Sequence, residues 1–273
     1  MQKTFQTSSP ISLYVELGSG DLVIHTDETT ETVVDVDGKD ADDVLVEQRG
    51  NEVMVIAKQR RTGFFSDSQK LTVRVTMPVD SKLSTKLGSA DVRVIGRLGE
   101  THLKSGSGDI RLEDVGADAS IETGSGDVQI DEVTGSLRIK SGSGDILVAN
   151  AGGAATVTTG SGDVRFDRAA EALQVKSGSG DMRVGEALQD VALSTASGDL
   201  FVDAMHRGQL AAKNVSGDIR VGIPAGVPVW TDISSMTGSV RSNLDGAGEP
   251  EEGQDFIELR AKTVSGDIFL EQL

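Results

Sequence analysis

The segment Lys104-Ser105-Gly106-Ser107-Gly108-Asp109-Ile110-Arg111 contains the motif that decides the fold, because close copies of it recur along the chain. A fixed period of this kind indicates one structural unit that stacks on copies of itself. Seven aspartates, each between Gly or Ala and an apolar residue, follow one another at a single constant interval: Asp91, Asp109, Asp127, Asp145, Asp163, Asp181 and Asp199.

Each repeat contains two short segments in which apolar and polar residues alternate, as in a strand with one buried face. Around Asp109, apolar residues lie six positions before the aspartate and one, three and six positions after it, and these positions recur as apolar columns that form the predicted interior. The glycine-rich stretch between the segments predicts a tight corner, where a positive φ is accessible mainly to glycine. The predicted turn residues are Gly108, Asp109, Gly126, Asp127, Gly144, Asp145, Gly162, Asp163, Gly180 and Asp181.

These patterns predict an all-β fold, a single-chain β-solenoid of the parallel β-helix or β-roll kind, with coils of about 18 residues. Two or three strands fit in each coil, and the spacing is also compatible with a hexapeptide-type left-handed helix. An early copy of the motif at Leu17–Leu22 precedes the copy at Asp91 by several repeat lengths. Between them we predict antiparallel strands at 44–46, 53–56 and 71–75 and a loop at Phe64-Phe65. Together these strands form an insertion that acts as an N-terminal cap.

The array predicts two parts: residues 1–85, with the first coil and capping hairpins, and residues 86–273, the repeat array with degenerate C-terminal coils. Ser239 replaces the aspartate in one late copy, and the last copy, around Asp267, ends near Leu273. This predicts an open strand edge and self-association through the solenoid ends. Trp230 is predicted to cap the last coils. An acidic loop is predicted between these copies, with Glu249, Glu251, Glu252 and Asp255.

Composition excludes several classes of function. The formal charge of −17 argues against binding to nucleic acid or anionic membranes. The chain has no cysteine, so disulfides and zinc–thiolate sites are excluded. No stretch approaches the roughly 18 apolar residues of a membrane span. The start Met1–Phe5 lacks the basic and apolar regions of a signal peptide. We therefore expect no membrane span and a cytoplasmic location.

The aspartate column permits two roles. In calcium β-rolls, stacked Gly-Asp loops hold ions, and the residues in question here are Asp109, Asp127, Asp145, Asp163 and Asp181. Alternatively, each carboxylate accepts backbone N–H groups of its own turn. Two basic columns predict counter-cations near the corners: Lys86, Lys104, Lys140, Lys176, Lys213 and Lys262, and Arg93, Arg111, Arg165, Arg183, Arg220 and Arg241.

Nothing in the pattern indicates catalysis. The serines recur with the corner, and the three histidines, His25, His102 and His206, are scattered along the chain. Between Asp91 and Asp199 no insertion supplies the wall of a cleft. We predict no enzymatic activity, no catalytic residue and no cofactor.

The repeated Ser-Gly-Ser-Gly-Asp corners, with the late copies Lys213–Ile219 and Lys262–Ile268, resemble the bacterial putative-adhesin, β-strand-repeat family, a family of unknown function. The resemblance covers nearly the whole chain and implies a β-solenoid with no assigned catalytic residues. It also implies a link to envelope stress, which has been assigned to some relatives.

The sequence thus predicts a non-enzymatic structural or interaction protein, a rigid acidic solenoid that serves as a scaffold or an adhesin-like binding module. Its expected partner is a protein or a cell-envelope polymer. One alternative is an envelope-stress module that binds a cationic peptide or an envelope polymer. A second alternative is the calcium-binding β-roll.

Overall fold

The structure, a computed structural model, describes residues 1–57, 70–245, 248 and 253–273. These residues form strands, turns and one 3-10 helix, Ala41–Asp43. The chain divides into two compact units, residues 1–135 and 136–273. The predicted loop at Phe64-Phe65 and three residues of the predicted acidic loop, Glu249, Glu251 and Glu252, lie outside the described residues.

Unit 1 is built on two long strands, β2 and β7, each of which passes through a corner. Their first halves pair in parallel, with Ser12 opposite Lys82, and their second halves do the same, with Asp21 opposite Asp91. The motif copies at Asp21 and Asp91 are therefore neighbours in space. The strands are β1 (Gln2–Gln6), β2 (Ser12–Asp27), β3 (Glu31–Asp37), β4 (Leu45–Arg49), β5 (Glu52–Ile56), β6 (Leu71–Pro78), β7 (Lys82–Leu98), β8 (Thr101–Ser107), β9 (Ile110–Val115), β10 (Ala119–Ser125) and β11 (Val128–Val133).

From β7 onward, unit 1 adds one coil of two strands at a time. Strands β8 and β10 continue the sheet of the first halves, and β9 and β11 continue the sheet of the second halves, all in parallel. On the other side of β2, the first half pairs with β5 and the second half with β6. These two pairings with β2 are parallel, so that β5 and β6 each have one parallel neighbour in addition to an antiparallel one.

Antiparallel pairing does occur at the N-terminal end, where β4 pairs with β5, β3 with β6 and β1 with β3. The ammonium group of Lys3 on β1 donates a hydrogen bond of 2.8 Å to the carbonyl of Val46 on β4, so that the edges of the two sheets meet. Ala41 and Val44 are buried beside them. The predicted N-terminal β cap is thus confirmed.

Unit 2 consists of parallel coils throughout. Its first strands form one sheet, in the order β12–β14–β16–β18–β20–β24–β22, and its second strands form another, in the order β13–β15–β17–β19–β21–β25–β23. The strands are β12 (Leu137–Ser143), β13 (Ile146–Ala151), β14 (Ala155–Ser161), β15 (Val164–Ala169), β16 (Leu173–Ser179), β17 (Met182–Ala187), β18 (Val191–Ser194), β19 (Leu200–Met205), β20 (Gly208–Lys213), β21 (Ile219–Ile223), β22 (Val229–Ser235), β23 (Val240–Ser242), β24 (Ile257–Thr263) and β25 (Ile268–Gln272).

The spatial order of the last coils differs from their order in the sequence. The final copy of the motif, β24 and β25, lies between the β20/β21 coil and the β22/β23 coil. The edge predicted to be open at the last coil of the chain is therefore covered on both sides. Among the described strands of this end, the open edge belongs instead to β22 and β23, the degenerate copy around Ser239.

The core follows the predicted columns. Leu103, Ile110, Leu112 and Val115 are at most 2 % exposed, and the equivalent residues of the later coils up to Met205 are buried to the same degree. Corner aspartates of adjacent coils, such as Asp91 and Asp109, are in direct contact. The prediction of an all-β solenoid with one coil per sequence repeat is confirmed. The domain boundary predicted after residue 85 stays a prediction; it falls inside β7.

Candidate functional site

The corner aspartates form a ladder of hydrogen bonds that runs from coil to coil. In unit 1, Oδ1 of Asp91 accepts the backbone N–H of Asp109 at 2.9 Å, and Oδ1 of Asp109 accepts that of Asp127 at 3.1 Å. In unit 2, Oδ1 of Asp145 accepts the N–H of Asp163, and Oδ1 of Asp163 accepts that of Asp181, both at 2.8 Å. The donor is thus the next coil, whereas the sequence predicted the aspartate's own turn.

The corner glycines explain why the donor lies in the next coil. All five predicted glycines have a positive φ, between 114° and 141°: Gly108, Gly126, Gly144, Gly162 and Gly180. This conformation takes the corner out of the regular strand ladder, and the carboxylate then satisfies the amide that the sheet leaves unpaired. The backbone carbonyls of the corner aspartates still take part in the regular pairing between strands. The carbonyl of Asp127, for example, accepts the N–H of Ile110 at 2.8 Å.

Calcium binding at the ladder stays a prediction. Calcium in proteins takes six to eight oxygen ligands. Each of the ladder bonds described above already uses one carboxylate oxygen on a backbone amide. Among the residues that the structure describes, no three His, Asp or Glu side chains come together as a metal site.

The basic columns lie on the outer faces of the sheets. Arg111 contacts the corner carboxylate of Asp109 at 3.4 Å, and Arg220 contacts that of Asp218 at 3.8 Å. Other members pair with carboxylates outside the corners, as Lys104 does with Glu122 at 3.1 Å. Basic side chains therefore balance only part of the negative charge of the corner aspartates. Hydrogen bonds from backbone amides stabilise the rest.

A stripe of exposed aliphatic residues, which the sequence analysis missed, runs along the corners of the last coils. Three positions before the corner aspartate, the earlier coils have glycine, but here the chain has Ala196, Val215 and Val264, and Met236 in the degenerate copy. Val215 is 54 % exposed, Val264 41 % and Met236 79 %. We call these four residues the aliphatic corner stripe. The change from glycine to an aliphatic residue was visible in the sequence.

Backbone hydrogen bonds hold the stripe residues next to one another. The N–H of Ser216 donates to the carbonyl of Ala196 at 3.1 Å, that of Ser265 to Val215 at 2.9 Å, and that of Thr237 to Val264 at 3.1 Å. The stripe is therefore continuous over four coils.

The earlier corners have no room for such side chains. A Cβ at Gly124 would lie 2.5 Å from the carbonyl oxygen of Gly106, and one at Gly178 would lie 2.6 Å from that of Gly160. In the late coils the backbone just before the corner follows a different path from that of the earlier coils. There the side-chain amide of Asn214 donates to the carbonyls of Gly198 at 3.1 Å and Gly217 at 2.8 Å.

Beside the late corners, arginines alternate with phenylalanines on the outer face. The guanidinium groups lie 5.1 to 5.8 Å from the ring centres, which is cation–π distance. The order along the stack is Arg183, Phe201, Arg220, Phe269 and Arg241. These contacts cover part of the apolar rings and hold the arginine side chains against the sheet.

The terminal coil, β22 and β23, leaves apolar residues uncovered. Trp230 does not cap the core as predicted. It projects from the outer face of β22, is 54 % exposed, and lies 5.9 Å from the guanidinium of Arg260. A cavity of about 280 Å³ opens at this end, and its lining includes Ile223, Val227, Val229, Thr231, Ser242 and Leu244.

Comparison with known families identifies the chain. The family model described as Toastrack DUF4097 matches residues 9–184 and 152–271. The chain belongs to this family. The resemblance stated from the Ser-Gly-Ser-Gly-Asp corners is thereby confirmed.

Solved structures with low sequence identity cover the chain almost completely. A putative lipid binding protein from Parabacteroides distasonis is 13% identical, with a TM-score of 0.47, over 98% of this chain and 96% of that chain. Putative adhesins from Parabacteroides merdae and Bacteroides fragilis are 12% and 11% identical, with TM-scores of 0.36 and 0.27. Each alignment spans 100% of this chain, and 95% and 96% of those chains, respectively. No curated protein gives a significant match. In the described part of this family member, no helix is long and apolar enough to cross a membrane.

Proposed function

We propose that this protein is a non-enzymatic interaction protein whose solenoid presents the aliphatic corner stripe to a protein partner. One observation carries the proposal: the large apolar side chains that are exposed in the described residues all lie in the last part of the chain. They are Val215, Trp230, Met236, Val240, Phe256, Val264 and Leu273. Three of them, Val215, Val264 and Met236, lie on adjacent corners in the stripe, and exposed apolar residues that lie side by side are typical of interaction sites.

The rest of the described chain is a strong contrast. There the exposed faces are polar, and three positions before each corner aspartate the coils from Gly106 to Gly178 have glycine in place of an aliphatic side chain. From Gly106 to Gly178 the corners of successive coils repeat one another with little variation. The stripe breaks this regularity, and we therefore place the function there.

The chemistry of the stripe favours a protein over a polysaccharide. Sugar polymers are usually held by aromatic rings and hydrogen bonds, whereas Val215, Val264 and Met236 offer only aliphatic surface. Methionine is also common at surfaces that adapt to protein partners. Lys213, five positions before the corner aspartate Asp218, flanks the stripe, so that an apolar segment with an acidic residue would suit it.

Photo-cross-linking tests this proposal in cells. A benzophenone side chain at Val215 should give an adduct of one defined mass. The same group at Ser125, an exposed corner residue among the glycine corners, should give none. The triple variant Val215→Ser, Val264→Ser, Met236→Ser should abolish an adduct formed from a benzophenone at Ala196. Since exposed substitutions cost within about 0.5 kcal/mol of stability, this variant should remain folded.

Equal adducts at both positions, or an adduct that the triple variant leaves intact, would contradict the proposal. A broad smear of polymeric adducts at Val215 would instead support the alternative of a cell-envelope polymer. Competition by a cationic peptide would support the envelope-stress alternative.

A further inference from the structure

Among the residues that the structure describes, β24 is the strand that pairs with the terminal strand β22, and no described strand pairs with the opposite edge of β22. Its inner edge pairs with β24, where the N–H of Ile257 donates to the carbonyl of Pro228 at 3.0 Å and the N–H of Met236 donates to that of Thr263 at 3.3 Å. Alternate residues of a strand direct their N–H and C=O groups to opposite edges. The groups of Val229, Thr231 and Ile233 therefore point away from β24.

These residues also carry the side chains of the inner face. In the register with β24, Val229 lies beside Ile257 and Ile233 beside Ala261, and both partners are fully buried. In β22, by contrast, Val229 and Ile233 are only half-buried and Thr231 is exposed, because no further described coil covers them. The open edge and the uncovered part of the core thus belong to the same three residues.

The sequence of β22 is complementary to itself when two copies run antiparallel about Thr231. In this register Thr231 faces Thr231 of the second copy, and Val229 faces its Ile233. All three residues direct their N–H and C=O groups to this edge, so each finds a partner. On the outer face, Trp230 would lie opposite Asp232, and the two aspartates would not face each other. Such a two-fold contact is isologous and closes at two copies.

The charge of the terminal coil permits this contact. The whole chain has a charge of −17, but residues 229–242 contain one acidic and one basic residue, Asp232 and Arg241. Asp232 is paired with Lys262 at 3.1 Å. The two charges of this segment thus balance each other, and Asp245 is the acidic residue that lines the cavity beside Val229 and Thr231.

We propose that two copies of this chain dock end to end through antiparallel pairing of their β22 strands, centred on Thr231. This contact uses the strand edge and is separate from the aliphatic corner stripe. The remaining negative charge opposes the contact, so that raising the salt concentration strengthens it.

Cysteine cross-linking provides the test, because the chain has no cysteine of its own. Cα atoms of directly opposed residues in such a pair lie about 5.5 Å apart, within reach of a disulfide. Under mild oxidation the full chain with Thr231→Cys should form a covalent dimer at dilute concentration. The control Ser234→Cys, exposed on the outer face of the same strand, should not.

Sedimentation and the single tryptophan give a second measurement. The wild-type chain should form a dimer, with Trp230 emission shifting as concentration rises. Ile233→Lys should stay monomeric, and Ser234→Lys should behave as the wild type. A wild type that is monomeric at all concentrations, equal cross-linking of the two cysteine variants, or a dimer that Ile233→Lys leaves intact would overturn the proposal. The stripe variants should dimerise normally, so that failure here is distinguishable from failure of the proposed partner surface.

Discussion

The N-terminal end of unit 1 and the C-terminal end of unit 2 differ in how far their core residues are covered. A stack of parallel coils must end, and each end exposes a core and two strand edges. At the N-terminal end Val36 is fully buried and Lys3 joins the two edges. At the C-terminal end Val229 and Ile233 face inward but are only half-buried, and Val240 is 48 % exposed.

The difference follows from how each end pairs its strands. The N-terminal cap uses antiparallel strands outside the regular repeat, and their turns allow them to close over the core. The terminal coil of unit 2 keeps the parallel register of its neighbours and therefore ends as an open coil. This difference between the two ends underlies the contact that we propose between two copies.

The largest expected effect compares one substitution at the two ends. Val36→Asp places an unpaired carboxylate in the closed core and should cost roughly 4 kcal/mol or more. Val229→Asp can remain hydrated and should cost about 1 kcal/mol or less. Urea unfolding of both variants at low protein concentration measures the difference. Equal losses would show that the two ends are equally closed.

A second comparison concerns the corners. Gly124→Ala in unit 1 forces a Cβ to within 2.5 Å of the Gly106 carbonyl oxygen, so the corner must shift, at a cost of about 1–3 kcal/mol. Ala196→Val in unit 2 enlarges an exposed stripe residue and should change stability by less than about 0.5 kcal/mol. Thermal melting of the two variants checks this. A neutral Gly124→Ala would mean that close approach does not dictate glycine at the early corners.

The third prediction concerns the attachment of the open coil. The backbone N–H of Ser239 donates to Asp267 at 2.8 Å, and this hydrogen bond lowers the pKa of the Asp267 carboxyl. The contribution to stability is therefore complete above the ordinary Asp pKa near 3.9 and is lost as the pH falls through the lower, folded value. Trp230 emission should report loosening of the terminal coil under strong acid.

Asp267→Asn is the matched control for this titration, because it keeps an acceptor oxygen but cannot titrate. Its Trp230 emission should depend less on pH in this range than that of the wild type. Identical acid profiles for the two proteins would show that another carboxylate controls the terminal coil.

The smallest expected effect is that of calcium. Because the ladder bonds in both units already use one carboxylate oxygen, we expect the melting temperature to be the same with calcium and with chelator. Asp163→Asn serves as the control, since it removes a charge from the ladder. A calcium-dependent rise in the wild type that this variant reduces would establish the alternative of a calcium-binding β-roll.

The periodic features of the fold could be predicted because each coil makes the same contacts as its neighbours. One coil with Leu103, Ile110 and Leu112 inward specifies the core of the coils that stack on it. The break in the period between Asp21 and Asp91 likewise revealed the N-terminal cap. The partner of each aspartate could not be predicted, since the carboxylate of Asp91 reaches a backbone amide one full repeat away in the sequence.

The sequence by itself determined the repeating coil, its corners, its buried columns and the presence of atypical ends, because these depend on residues that are close together in the chain. Only the tertiary structure decided which coil ends the stack. The β22/β23 coil lies outside the β24/β25 coil because β24 and β25 pair with β20 and β21. The distance between these segments along the sequence does not follow the regular period of the repeat. That choice exposes Trp230, Met236 and the edge of β22, and with them the surfaces to which we assign the function.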